Sequence, residues 1–150
     1  MLDNYIDQSL TKSSTIRTEH TMTSNKTVIT TNDAPAAIGP YSQATTNGQL
    51  IFTAGQIAID PKTGTIVPGN IEEQTHRVIR NIEAILRAID VDLEAVIKTT
   101  VFMTNLADFT RMNKVYEQYF ENNPPARSAL EVAALPLGAQ IEIECIATKE

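Results

Sequence analysis

Apolar positions along this chain change their period several times, and each change marks an element. Val28 to Thr31 and Leu50 to Ala54 are short runs rich in β-branched or aromatic residues, and they predict strands. Gln56 to Ile59 continues extended until Asp60-Pro61-Lys62-Thr63-Gly64 turns the chain, because proline presets φ and glycine accepts a positive one. Thr65-Ile66-Val67 then reads as a returning arm. From Ile71 the period becomes helical: Ile71, Thr75, Val78, Ile79, Ile82, Ile85, Leu86 and Ile89 recur at three and four and form one stripe. Asn70 with Glu73 three residues on is a capping-box-like start, and His76, Arg80 and Arg87 fall largely away from the stripe.

Ile97 to Thr104 is a β-branched run that predicts a buried strand. Asp108 to Asn122 predicts a second helix with Phe109, Met112, Tyr116 and Phe120 inward, closed ahead of Pro124 because the residue before a proline avoids helical geometry. Ala129 to Ala133 and Gln140 to Thr148 predict two last strands around Leu135-Pro136-Leu137-Gly138-Ala139. The order of strands, helix, strand, helix and two strands predicts an α+β fold with both helices on one face of a sheet. Yet the strands carry apolar residues on both parities, with Ile141, Ile143 and Cys145 on one and Ile146 and Leu130 on the other. A second hydrophobic face has to be covered, and association of identical chains is the simplest cover.

Composition narrows this further. The 150 residues, 42% hydrophobic and 20% charged, fit one domain with a single core. A net charge of -6 repels a phosphate backbone, and 5% aromatic residues with no Trp leave few stacking platforms, so generic nucleic-acid binding is disfavoured. Cys145 is the single cysteine, which rules out an internal disulfide and fits a reducing, cytoplasmic setting. Within an apolar strand it reads as a buried structural thiol. No run approaches the roughly 18 apolar residues of a membrane span. Residues 1–26 are polar and rich in Ser and Thr, with acids among the bases. They fit neither a signal nor a transit peptide and are expected to be a disordered tail, or the product of a start codon placed ahead of Met22. Residues 27–150 remain as the folded domain.

Most reaction chemistries lack their residues. His20 and His76 sit in the polar tail and on a polar helix face, so neither a zinc triad nor a Ser-His-Asp relay is assembled. No phosphate loop and no dinucleotide fingerprint is present. Arg127 follows Pro124-Pro125-Ala126, a stiff lead that suits either a bidentate grip on a carboxylate or an ordinary salt bridge. Glu142 and Glu144 share one strand face. They are a polar stripe if that face is wet, and a raised-pKa acid or base if it packs in a cleft. Asn113 falls in the apolar face of the second helix, where its amide either caps a loop or lines a site. Tyr41 follows the turn signal Gly39-Pro40 and is either a packed ring or a phenol at a site.

Five separated blocks carry a resemblance: Ala34-Pro35-Ala36-Ala37-Ile38-Gly39-Pro40-Tyr41-Ser42-Gln43, Ala54-Gly55-Gln56-Ile57, Lys98-Thr99-Thr100-Val101-Phe102, Pro125-Ala126-Arg127-Ser128 and Ile141-Glu142-Ile143-Glu144. In this order, over about residues 27 to 149, the chain resembles the RidA (YjgF, reactive intermediate deaminase A) family. The resemblance implies a homotrimer of chorismate-mutase-like protomers whose sheets form a central β-barrel, with active sites in the clefts between subunits. It implies hydrolysis of 2-iminobutanoate and 2-iminopropanoate to 2-oxo acids and ammonia, without metal or cofactor. By motif, Arg127 binds the carboxylate, Glu142 positions water or shuttles protons, and Tyr41, Gly55, Asn113 and the Ala129 backbone line the pocket. Ala129 stands where many deaminase-active relatives carry cysteine, so thiol chemistry is excluded there. The alternative reading is a trimer that senses a 2-oxo acid through the same Arg127 pocket without turnover.

Spacing adds a condition. If the last two strands form a hairpin turning near Leu137, Arg127 lies opposite Ala147, about 16 Å along the strand from Glu142. Either the strands pair otherwise, or neighbouring protomers complete the cleft; the expectation is an interface pocket.

Overall fold

The computed structural model describes residues 25–149. The expectations for His20, for Met22 and for nearly all of the 1–26 segment therefore lie outside the described residues. The described chain folds into a mixed sheet with two helices over one face. Its strands are β1 (Thr27–Ile29), β2 (Ala44–Thr46), β3 (Leu50–Thr53), β4 (Gln56–Ile57), β5 (Ile59–Asp60), β6 (Thr65–Ile66), β7 (Val96–Met103), β8 (Ala126–Glu131) and β9 (Ile141–Thr148). The main sheet has the order β1-β2-β3-β9-β7-β8, and β4 follows β3 along the same edge of β9. β5 pairs with β6 as the predicted returning arm.

The helices are α1 (Ile71–Arg87) and α2 (Phe109–Tyr119). The Asn70 and Glu73 signal is a complete capping box: the Asn70 side chain accepts from Glu72 N–H at 2.9 Å and Asn70 N–H donates to Glu73 at 2.8 Å. The predicted stripe of α1 is buried from Ile71 through Leu86. α2 is shorter than expected at both ends. Leu106–Asp108 forms a separate tight turn, capped by Asn105, and the helix stops at Tyr119, before the proline rule applies. His76 is half-buried rather than solvated, its Nδ1 2.8 Å from the Tyr119 hydroxyl, and joins α1 to α2.

One layer of core lies between helices and sheet. Ile51, Val101, Met103, Ile141 and Ile143 of the sheet meet Val78, Ile79, Ile82, Ile85 and Leu86 of α1 and Met112 of α2, all essentially without exposure. Burying each such side chain contributes about 1.5–3 kcal/mol. Cys145 is in this layer, as expected, and burial pushes its thiol up to about 11.

One strand goes unread in the sequence pattern, and one expectation is corrected. The sequence pattern does not predict β2, because Ala44-Thr45-Thr46 is short and has no apolar alternation; it forms by pairing on both sides with β1 and β3. The last two strands are not a hairpin. β8 begins at Ala126, three residues earlier than predicted, and runs parallel to β7, while β9 pairs antiparallel with the other side of β7. The physical reason is the helix between β7 and β8, which supplies the crossover that a parallel pair requires. The chain then passes the end of β7 through Pro136–Gly138 before returning as β9.

The face away from the helices carries Val28 and Phe52 in one register row and Phe102 and Leu130 in another. Val28 is 54% exposed, Phe52 43% and Leu130 39%. The apolar second face read from strand parity is thus present, and no described element covers it. Among the described residues no helix is long and apolar enough to cross a membrane.

Candidate active site

The residues singled out by sequence fall into two groups on opposite faces of the sheet. Glu142 projects from β9 away from the helices, into a cleft of about 340 Å³ that also includes Tyr41, Gly55, Ile57 and Pro136. Its carboxyl group lies over Gly55, at the break between β3 and β4 where Ala54 and Gly55 leave the ladder. A Cβ at Gly55 would stand 2.7 Å from Glu142 Cδ, so glycine is required for that side chain to lie there. Partial burial, followed by the Glu144 charge, raises the Glu142 pKa above the ordinary carboxylate value.

The break in the ladder is bridged by a side chain. Thr53 Oγ1 accepts from Cys145 N–H at 2.9 Å and so supplies the partner that β3 no longer offers. Tyr41 is half-exposed, and its hydroxyl accepts from Ile38 N–H at 3.3 Å, closing its own loop. That loop is tied down by Gln43, a buried residue that the sequence pattern does not single out. Gln43 Oε1 accepts from Thr31 N–H at 2.7 Å, and Nε2 donates to the carbonyls of Thr31 (3.0 Å) and Pro35 (2.8 Å). Its own carbonyl accepts from Ala54 N–H at 2.9 Å, which places the Tyr41 loop against the Gly55 break. An isolated glutamine in a polar stretch has no periodicity to betray its burial.

The second group lies under α2. Arg127 projects from β8 toward the helix side, opposite Thr99 of β7. Its guanidinium carbon is 4.6 Å from the centroid of Tyr116 and 5.3 Å from that of Phe109. Among the described residues the Arg127 side chain makes no hydrogen bond and no ion pair, so the salt-bridge reading finds no partner there. Asn113 stands in the same groove, its Oδ1 enclosed and without a hydrogen-bond partner among the described residues. Ala129 is half-buried two residues beyond Arg127 on the same side of β8. Val132 N–H donates to the Met103 carbonyl at 2.8 Å, and in a parallel ladder the N–H and C=O of one residue share an edge and alternate along the strand. The backbone groups of Arg127 and Ala129 therefore face the open edge of β8.

The register separates the groups. Arg127 aligns with Thr99 and Cys145, whereas Glu142 aligns with Phe102 and Leu130. Two strand spacings across and three residues along put their backbones about 14 Å apart, with the sheet between their side chains. The hairpin on which the sequence-based separation depends is absent, and in the β8-β7-β9 arrangement that replaces it the two side chains do not converge among the described residues. Among the described residues no three His, Cys, Asp or Glu side chains gather in a way that could hold a metal.

Comparison with known proteins places this arrangement. The family model described as Endoribonuclease L-PSP matches residues 31–149. A RutC family protein of Pyrococcus horikoshii is 54% identical over 125 residues, 83% of this chain and 99% of that protein. The 2-iminobutanoate/2-iminopropanoate deaminase of Rattus norvegicus is 47% identical over 122 residues, 81% of this chain and 89% of that enzyme. The crystal structure of the YjgF gene product of E. coli superimposes with a TM-score of 0.78 at 44% identity, over 83% of this chain and 99% of that one. The chain belongs to the Endoribonuclease L-PSP family, the RidA (YjgF) family whose motifs it carries.

Proposed function

We propose that this protein is a hydrolase of C=N bonds that converts 2-imino acids and their enamine tautomers, 2-iminobutanoate and 2-iminopropanoate, to 2-oxo acids and ammonia in the cytoplasm. The name of the rat relative supports the reaction, and the two half-sites support its parts. The working unit is residues 27–150. The active unit is a homotrimer in which the uncovered sheet faces close a central barrel and each cleft joins the Arg127 groove of one protomer to the Glu142 cleft of the next. The observation that carries this reading is the division of complementary groups between opposite faces of one sheet: a free arginine fork on one and a raised-pKa carboxylate on the other.

In such a cleft Arg127 grips the substrate carboxylate with two parallel N–H bonds, and Asn113 and the Ala129 edge border the same groove. The substrate carbon is then held where water reaches it, with Tyr41 and the Gly55 backbone forming the opposite wall. Glu142 takes a proton from the attacking water as the O–C bond forms and delivers it to the nitrogen, giving a carbinolamine. It then takes the hydroxyl proton of that intermediate and delivers it to the amine as the C–N bond breaks, so that the 2-oxo acid and ammonia leave and the carboxylate is restored; a pKa drawn upward suits these transfers. An imine carbon is already electrophilic, so orientation and proton transfer are sufficient, each tenfold gain requiring about 1.4 kcal/mol.

The test couples a threonine dehydratase to this protein and follows 2-oxobutanoate. Acceleration over the dehydratase alone, lost in Arg127→Ala, is expected. Absence of acceleration by folded protein overturns the reading, and binding of 2-oxobutanoate without turnover makes the protein a sensor.

A further inference from the structure

We infer that Tyr116, fixed through its hydroxyl by Thr99 and flanked by Phe109, is the positioning residue that holds the Arg127 guanidinium ready for a substrate carboxylate; this rests on the imino-acid site proposed above. An arginine that binds a planar anion has two requirements that ordinarily conflict. It must be held still, since a long side chain loses much rotamer freedom on binding, and its N–H edge must stay unoccupied. A hydrogen-bonded partner meets the first and defeats the second.

An aromatic face meets both, because the cation rests on the ring and all N–H groups remain in the guanidinium plane. That is the arrangement here, with Arg127 over Tyr116 at 4.6 Å and over Phe109 at 5.3 Å. The Tyr116 ring is itself held. It is 5% exposed, packs on Phe120 with centroids 4.5 Å apart, and its hydroxyl lies 2.8 Å from Thr99 Oγ1. Thr99 is also the ladder partner of Arg127, so one residue fixes both the base of the arginine and the ring beneath its tip. Neither Tyr116 nor Thr99 needs to touch substrate for this.

A ring that merely fills the core makes a different prediction. Carboxylate grip is the same in substrate and transition state, so loosening Arg127 falls on KM and on product affinity, not chiefly on kcat. The experiment measures KM, kcat, melting temperature and 2-oxobutanoate binding by calorimetry for the full chain and for Tyr116→Phe, Phe109→Leu and Arg127→Ala. Phe109→Leu, at a half-buried site, and Tyr116→Phe, which keeps the ring and removes the Thr99 tie, are each expected to raise KM and weaken 2-oxobutanoate binding about three- to tenfold. Wild-type KM and binding in both folded variants, or a loss confined to kcat or to melting temperature, overturns the inference. If Arg127→Ala also keeps wild-type binding and turnover, the site reading itself fails; if only Arg127→Ala loses them, the site stands and the positioning role falls.

Discussion

Arg127 and Glu142 project from opposite faces of one sheet, Arg127 in register with Thr99 and Glu142 in register with Phe102 three residues farther along β7. No side-chain rotation brings the two together through a packed sheet. In the proposed assembly each supplies half of a site, and the open apolar face beside Glu142 is the surface on which copies are proposed to meet.

Association is therefore expected to depend on that face. Phe52→Asp places a charge in the Val28 and Phe52 row and should convert the proposed trimer to monomers by light scattering, with loss of deamination and retention of the far-UV spectrum. A trimer of unchanged mass would show that another surface holds the assembly.

Gly55→Ala should separate activity from stability. The added Cβ meets the mobile end of Glu142, which can swing away, so the melting temperature should move little. Displacing the carboxylate by an ångström or more is expected to lower kcat/KM by about a hundredfold. Wild-type kcat/KM in the variant would remove Glu142 from the reaction.

The pH dependence rests on the raised Glu142 pKa. Burial and then Glu144 favour the protonated acid, so the acid limb of kcat/KM should lie above 4.5, and Glu144→Gln should move it down by removing the neighbouring charge. Stability carries the opposite sign to that of a salt-bridged acid. Ionisation of Glu142 opposes folding above its folded pKa, and this penalty is absent below the unfolded value. Glu142→Gln should thus raise the melting temperature at pH 7, with the gain disappearing below pH 4.5. An equal gain at both pH values would assign it to packing rather than charge.

Gln43→Leu tests the anchor of the Tyr41 loop. It leaves Thr31 N–H and the Thr31 and Pro35 carbonyls without their side-chain partner, at a cost of about 2–3 kcal/mol in urea unfolding. Activity should fall as well, because the same amide sets the loop that faces Gly55.

Legibility in the chain depends on which interactions are local. α1, β7 and β9 declare themselves through period and β-branching, and the capping box lies within four residues of its helix. The apolar second face is legible as parity in β9. β2 and the role of Gln43 are not, since both depend on partners supplied from elsewhere: β1 and β3 for the strand, and the Thr31 to Pro35 backbone for the amide. The pairing of β8 and β9 is misleading because Leu135 to Ala139 looks like a hairpin turn, while the sign of a parallel crossover lies one element earlier, in α2. Arg127 and Glu142 stand out by motif, but only register reveals that the sheet divides them.

Mixing two inactive variants tests the central claim most directly. Arg127→Ala and Glu142→Gln, unfolded together and reassembled as mixed trimers, leave intact clefts wherever a Glu142→Gln protomer supplies Arg127 to an Arg127→Ala protomer that supplies Glu142. Random mixing predicts recovery of about a quarter of wild-type deamination, against none for either variant alone. Mixed trimers with no recovered activity would contradict a site shared between protomers.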